Sequence, residues 1–298
     1  FAPQLPARPL PLGALSIEKA EWGGHRESLP SHRPLRKKLA PLKIKTVDLI
    51  VIGGGITGIT AALYAARQGA SVACLDRGRV NGEASGGNAG SLHLQLLSWD
   101  FGDKAVGNGR LQLDTLPLQR ESIELWRTLE AELEVDFEMV VTGGLMVAES
   151  AEQMRFLEGK SKAEAHVGIE SEIVDSSRIK EIVPAISEKV IGAAWCPGEG
   201  KINPLIATSR LASAAQSEGV AIEEFSPVTD LEKYNGYYRV TTPRGSVNTK
   251  RILIAAGGWS NDIAGMLGAT VPIRGAPLQM IVTAPAPELV PCLIAHAD

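Results

Sequence analysis

The stretch VDLIVIGGGITGITAALYAARQGASVACLD, residues 47–76, decides the fold. Val47, Leu49, Ile50, Val51 and Ile52 form a near-continuous apolar run, which suits a strand buried on both faces of a parallel sheet. Gly53, Gly55 and Gly58 follow in GxGxxG spacing. The first glycine permits a tight turn, the second lets backbone approach a pyrophosphate, and the third lets helix and strand pack closely. An alanine-rich helix is expected from Thr60, stopped by Gly69. Its N-terminus would present free N–H groups to phosphates. Ser71 to Leu75 reads as a second strand, ended by Asp76, 18 residues after Gly58, where a carboxylate can accept hydrogen bonds from a ribose. Together these elements predict an α/β, Rossmann-like dinucleotide-binding unit. Asp76 disfavours NADP, because a carboxylate repels a 2′-phosphate. It leaves NAD and FAD open.

Two later segments separate those cofactors. The first is RGRVNGEASGGNAGSLHLQ, residues 77–95. A simple nicotinamide domain would continue with another helix and strand. Here Ser85, Gly86, Gly87, Asn88, Ala89 and Gly90 form a loop rich in backbone donors and poor in bulk, which suits close approach to a phosphate or a flat ring. The second is KRILIAAGGWSNDIAGMLG, residues 250–268. Arg251 to Ala256 reads as a buried strand running into Gly257-Gly258-Trp259-Ser260, where a glycine pair lets the chain pass close to a cofactor. Between the two lie GKINP, a helix marked by Leu205, Leu211 and Ala215 and ended by Gly219, a strand from Ala221 to Phe225, and the hairpin LEKYNGYYRV turning at Asn235-Gly236.

The order GGGITG, Asp76, ASGGNAG, GKINP and the strand into AAGGWS resembles the FAD-dependent oxidoreductases of the D-amino-acid oxidase type. Glycine oxidase, the sarcosine oxidase beta subunit, D-amino-acid dehydrogenase and the opine oxidase subunits belong to that family. The resemblance covers about residues 46 to 298. It implies an extended FAD, with Gly53, Gly55, Ile56, Thr57, Gly58, Asp76, Ser85, Gly87, Asn88, Ala89, Gly90, Val228, Gly257 and Gly258 as contact candidates. Val228, in SPVTDL, matches the position whose backbone meets adenine. Asp76 stands where the family more often has glutamate.

By the same resemblance, residues 46–136 and 203–270 form the FAD-binding domain. Residues 137–202 and 271–298 form an interleaved α+β substrate domain with a mixed sheet, incomplete at the C-terminus. The implied activity is oxidation of the C–N bond of an amino acid or N-substituted amino acid, of D-amino acid, glycine, sarcosine or opine type, by hydride transfer to flavin N5. Electrons would leave to oxygen, a quinone or an acceptor subunit. Two other readings stand beside it: a non-catalytic FAD-holding or electron-transfer subunit of a larger complex, and an NAD-linked Rossmann dehydrogenase, which the ASGGNAG and AAGGWS segments disfavour.

Elsewhere the patterns are plainer. Residues 117–133 read as an amphipathic helix carrying Leu118, Trp126, Leu129 and Leu133. FEMVVTGGLMVAES is expected to hold two short strands about Gly143-Gly144, EQMRFLEGKSKAEAHVG a helix, SSRIKEIVPAI a short helix broken by Pro184, and VIGAAWCPGEGKINP a returning strand. No catalytic residue is assigned. His93 follows the glycine loop, yet a structural or solvated histidine is the commoner fate. His296 reads as a strand residue, and Arg274 as a structural ion-pair partner.

The 298 residues are 44% hydrophobic and 21% charged, ordinary for a globular enzyme, with no apolar run that would span a bilayer. Cys74, Cys196 and Cys292 are scattered, which argues against a zinc site or a disulfide framework and for a reducing, cytoplasmic compartment. Residues 1–45 carry nine Lys/Arg, three Glu and seven of the 18 prolines, and read as a basic, poorly ordered extension. The body is acidic, which disfavours nucleic acid as a partner. The start at Phe1 and the stop within an apolar run suggest a fragment.

Overall fold

The computed structural model describes residues 39–298 except 274, 276–278, 285, 286 and 288. Most of the basic extension and Arg274 therefore lie outside the described residues.

Six strands form the main sheet, in the order β8-β2-β1-β11-β10-β9. They are β1 (Thr46–Ile52), β2 (Val72–Leu75), β8 (Ala221–Glu223), β9 (Asp230–Tyr234), β10 (Tyr237–Thr242) and β11 (Gly245–Ile254). β8, β2, β1 and β11 run parallel, and β10 and β9 extend the sheet as an antiparallel pair. The near-continuous hydrophobicity of residues 47–52 has a two-sided cause. Val51 and Cys74 face α1 (Ile56–Arg67) and α5 (Pro204–Ser217), where Ile59, Leu63, Leu211 and Ala215 complete one core. Ile50, Ile52, Ala73 and Leu75 face the other way, against Leu231, Val240 and Val247.

A second sheet, ordered β12-β4-β6-β5, is mixed. Its strands are β4 (Gly144–Ala148), β5 (Glu172–Asp175), β6 (Gly192–Cys196) and β12 (Leu293–His296). β12 lies parallel to β4, and the other pairs are antiparallel. Helices α3 (Ala151–His166) and α4 (Ser176–Ile182) flank it. α3 opens on a capping box, in which the Ser150 hydroxyl accepts from the Gln153 N–H and the Gln153 side chain accepts from the Ser150 N–H. α4 ends before Pro184, as the restricted backbone preceding a proline requires. Two further strands, β3 (Ser91–Leu92) and β7 (Gly200–Lys201), pair to join the glycine loop to the GKINP segment.

Several elements differ from the sequence reading. The strand expected to be buried from Arg251 to Ala256 is β11, which starts at Gly245 because it leaves directly from the hairpin with β10 and ends at Ile254, and residues 251–256 are half-buried or exposed. α1 starts at Ile56 rather than Thr60, because Gly58 lets the first turn lie directly against the end of β1. The long helix α2 runs Arg110–Leu133, with Pro117 inside it rather than at its start. Its buried members are Leu116, Ile123 and Leu129, so its inner face is rotated from the expected one, and Leu118 is 62% exposed. Only one strand forms about Gly143-Gly144: Glu138 at φ 53° turns the chain, leaving Val140 a single bridge to Lys201. The strand from Ala221 stops at Glu223, since Phe225 takes φ 52°. The last short helix, α6 (Ser260–Gly265), follows β11.

Leu63 is fully buried between α1, α5 and the sheet. Leu63→Ala is expected to lower unfolding stability by about 2–5 kcal/mol, through lost transfer energy and a residual cavity. Urea unfolding would read this as a lower midpoint at unchanged slope.

Candidate functional site

A cleft of about 610 Å³ opens where β1, β2 and β11 end. Parallel strands place all their C-terminal ends on one edge, and ligands of such sheets bind there. The turn after β1 is built for close contact. Gly53 sits at φ 116°, and a Cβ there would run into the carbonyl oxygen of Ala255 at the end of β11. A Cβ on Gly58 would in turn run into the carbonyl oxygen of Gly53. The two glycines thus let β1, β11 and α1 converge on one point.

Asp76 closes the other side. Its Oδ2 accepts from the Gly54 N–H at 2.6 Å and its Oδ1 from the Gly78 N–H at 2.7 Å. The carboxylate is therefore fixed by backbone donors and retains lone pairs for a ligand hydroxyl. Ser85 Oγ accepts from the Ile56 N–H at 2.9 Å, tying the glycine- and asparagine-rich loop to the first turn of α1. That turn has no acidic residue, and its N-cap residue, Gly55, has no side chain to cap it. Besides the N–H groups taken by Ser85 and Asp76, the terminus lines the cleft with further backbone donors, the arrangement that attracts a phosphate.

Of the candidate contacts, Gly53, Gly55, Ile56, Thr57, Asp76, Ser85, Val228, Gly257 and Gly258 line the cleft. Gly58, Gly87, Asn88, Ala89 and Gly90 lie off it. Gly58 serves helix packing, as described. The Asn88 side chain closes its own loop, donating to the carbonyls of Ala84 and Ser85 and accepting from the Gly90 N–H. Gly90 packs against the carbonyl of Ile202, and Gly87 and Ala89 are exposed.

The sequence reading missed Arg77, Arg79, Asn81 and Trp259, which also line the cleft. The Arg77 guanidinium lies 3.5 Å from the centre of the Trp259 ring, and it donates to Glu83 at 2.7 Å. These three side chains cross from the end of β2 to the end of β11. Their signal was present, as the arginine directly after Asp76 and the aromatic directly after Gly257-Gly258. The Asn81 amide donates to the carbonyls of Pro204 and Leu205, which anchors the start of α5 to the cleft wall.

A sequence profile of the FAD dependent oxidoreductase family (DAO) matches residues 48–297. The chain belongs to this family. FAD is the family's cofactor, and the cradle at Gly53, the N-terminus of α1 and the fixed Asp76 fit its pyrophosphate and ribose. Among curated relatives, dimethylglycine dehydrogenase of Rattus norvegicus mitochondria is 28% identical over 247 residues, covering 81% of this chain and 27% of that protein. Sarcosine oxidase subunit beta of Arthrobacter is 28% identical over 251 residues, covering 80% and 58%. Glycine oxidase from Geobacillus kaustophilus superposes with a TM-score of 0.72 at 21% identity, covering 85% of this chain and 67% of that one. This last likeness establishes the α/β, Rossmann-like fold with its mixed second sheet. The chain spans about a quarter to three fifths of the length of these two curated relatives. Among the described residues, no helix is long and apolar enough to cross a membrane, and no cluster of His, Cys, Asp and Glu could hold a metal ion.

Cys74 lies in β2 directly behind the cleft. Burial, reinforced by the charge of Asp76, pushes its thiol up to about 12 from an ordinary 9.0. Burial, reinforced by Glu199, pushes Cys196 up to about 12 as well. Both thiols stay protonated and unreactive in the folded chain. Native protein is expected to resist alkylation at both positions, with labelling appearing only on unfolding, as read by peptide mass spectrometry. Between pH 9 and 12 the unfolded chain gives up thiol protons that the folded chain keeps, so this contribution to stability falls as pH rises. The alkaline decline should be shallower in Cys74→Ala.

Proposed function

We propose that the chain is the FAD-binding and part of the substrate-binding region of an oxidoreductase that oxidises the C–N bond of an amino acid or N-methylated amino acid. The observation that carries this reading is the cleft: a glycine cradle, a helix N-terminus and a backbone-fixed carboxylate, in a chain whose relatives are named for dimethylglycine, sarcosine and glycine. Gly53, Gly55, Ile56 and Thr57 would face the pyrophosphate, Asp76 the adenosine ribose, and Val228 the adenine. Ser85, Gly257 and Gly258 would border the remainder of the cofactor. Gly58, Gly87, Asn88, Ala89 and Gly90 would act by shaping the turn and loop behind those contacts.

Bound flavin supplies the hydride acceptor; the chain supplies binding, orientation and exclusion of water. The main sheet with its helices, residues 46–136 and 203–270, supports a cofactor domain. The mixed sheet within 137–202 and 271–298 supports a substrate domain. Oxygen, a quinone or a partner subunit would take the electrons. That sarcosine oxidase subunit beta is by name one subunit of an assembly supports the last of these. Three unpaired, buried thiols support a reducing, cytoplasm-like compartment.

The purified chain is expected to carry a yellow chromophore absorbing near about 450 nm. Anaerobic addition of one of glycine, sarcosine, dimethylglycine, proline, a D-amino acid or an opine should bleach it. A colourless chain that also fails to take up added FAD would sink the reading. A flavin that none of these amines bleaches would favour the electron-transfer subunit instead. Asp76→Ala removes a charged acceptor worth about 1.5–3 kcal/mol, so flavin affinity should fall roughly tenfold or more.

A further inference from the structure

The segment that leaves the glycine loop, residues 93–97, is held by a buried polar network that the cofactor reading does not use. Glu199 is buried, and its Oε1 accepts from the Leu94 and Gln95 N–H groups, both at 2.8 Å. Its Oε2 accepts from the Gln95 amide at 3.3 Å. Lys160, also buried, donates to Gln95 Oε1 at 3.3 Å and to Glu164 Oε1 at 2.8 Å. Glu164 accepts the Leu96 N–H through the same oxygen. Lys160 pairs with Glu164, and among the described residues the side chain paired with Glu199 is His93. The imidazole Nδ1 stands 3.5 Å from Glu199 Oε1.

His93 lies at one end of this network and on the wall of a second cavity of about 370 Å³, with Ser91, Gln95, Asp100, Ser122 and Trp126. Its side chain is 31% exposed. The other described histidines are placed differently. His166 is exposed and bonded to the Lys162 carbonyl, and His296 is exposed beside Asp298. A carboxylate facing Nδ1 favours the Nδ1–H tautomer, which leaves a basic Nε2 for the cavity. A base oriented by a buried third group is the general arrangement of activated proton acceptors.

We propose that His93, oriented by Glu199, accepts the ammonium proton of the amine substrate, with the cavity taking its amine end. The inference rests on the amine-oxidising function proposed above. An amino-acid ammonium has no lone pair, and hydride cannot leave its α-carbon until it has one. In the proposed step the substrate N–H bond breaks, its proton passes to His93 Nε2, and the bonding pair stays on nitrogen. The α-hydrogen then leaves with its electron pair to the bound flavin, and the nitrogen lone pair forms the C=N bond, giving an iminium that water hydrolyses. The charged and titratable groups around His93 are Glu199, Lys160 and Glu164, Asp100 across the cavity, and Cys196 behind Glu199. Burial raises Glu164, Asp100 and Cys196, and the Cys196 thiol, pushed up to about 12, stays neutral.

The test is stopped-flow bleaching of the flavin-loaded chain by sarcosine, across pH. His93→Gln and His93→Ala should retain flavin and slow bleaching about 10²–10⁴-fold at neutral pH. The deficit should shrink as pH rises and the amine loses its proton unaided. Added imidazole should rescue His93→Ala but not His93→Gln, and His166→Gln should match the parent chain. A second readout needs no turnover: ¹⁵N spectra of the histidine rings should show the Nδ1–H tautomer at His93 and its loss in Glu199→Gln. Bleaching at parental rate in both His93 variants overturns the inference while leaving the proposed function intact. A parent chain that binds no flavin overturns that function instead, and a mixed tautomer at His93 then overturns the orientation by Glu199 as well.

Discussion

The contact between the carbonyl oxygen of Gly53 and the bare α-carbon of Gly58 is the constraint on which the cleft depends. A turn of only a few residues must reverse the chain from β1 into α1 while β11 ends against the same point. Any side chain at Gly53 would strike β11, and any at Gly58 would strike the turn. With both positions bare, α1 starts at Ile56 and aims its N-terminus across the edge of the sheet. Asp76 then ties the end of β2 to that turn through the Gly54 N–H. Three strand ends and one helix end are thereby locked within a few ångströms. The chemistry of the cleft, one carboxylate among many backbone donors, follows from that convergence.

A second, independent device connects the glycine loop to the mixed sheet. Buried charge is costly, and removing one member of a buried pair typically costs about 3–5 kcal/mol. Here Lys160, Glu164, Gln95 and Glu199 share their hydrogen bonds so that the backbone of residues 94–96 is satisfied by side chains from α3 and from the loop after β6. An apolar core of equal volume would leave those N–H groups unpaired. The network therefore specifies one path for the segment between the cofactor loop and α2. It also leaves the second oxygen of Glu164 unpartnered and Glu199 facing His93, which is the asymmetry that gives the segment chemical potential beyond its structural role.

Legibility in the sequence tracked how local the determining physics was. The run at residues 47–76 was readable because a buried parallel strand, a close-packed turn and an alanine-rich helix each impose a strong local pattern. Leu116 rather than Leu118 faces inward on α2 because the helix extends seven residues before Pro117, and only tertiary packing reveals that extension. Val140 was expected in a strand because it is β-branched and apolar; the positive φ at Glu138 withdraws it. Asn88 was a contact candidate through the family resemblance, and only the folded loop shows that its amide donates to the carbonyls of Ala84 and Ser85. Arg77 and Trp259 escaped notice because they are 182 positions apart and meet only once β2 and β11 flank β1.

The order of strands explains why the site sits where it does. β1 is central, with β2 on one side and β11 on the other, although β11 lies almost 200 residues later in the chain. The chain goes from β1 through α1 to β2 on one flank, and reaches β11 on the other flank only after passing through β4, β5 and β6 of the mixed sheet. Adjacent parallel strands that continue in opposite directions leave a gap between their exits, and an extended ligand fits such a gap. Val228 and Pro227 enter it from the connection between β8 and β9, and Gly257 and Gly258 from the end of β11. Because β4, β5 and β6 of the mixed sheet lie between β2 and β11, and β12 follows β11, the two sheets are interleaved in the chain rather than joined end to end. The loop from Ser85 to Gly90 is where the chain first passes from one to the other. That passage explains why the same short segment begins on the wall of the cofactor cleft and ends, at His93, on the wall of the second cavity.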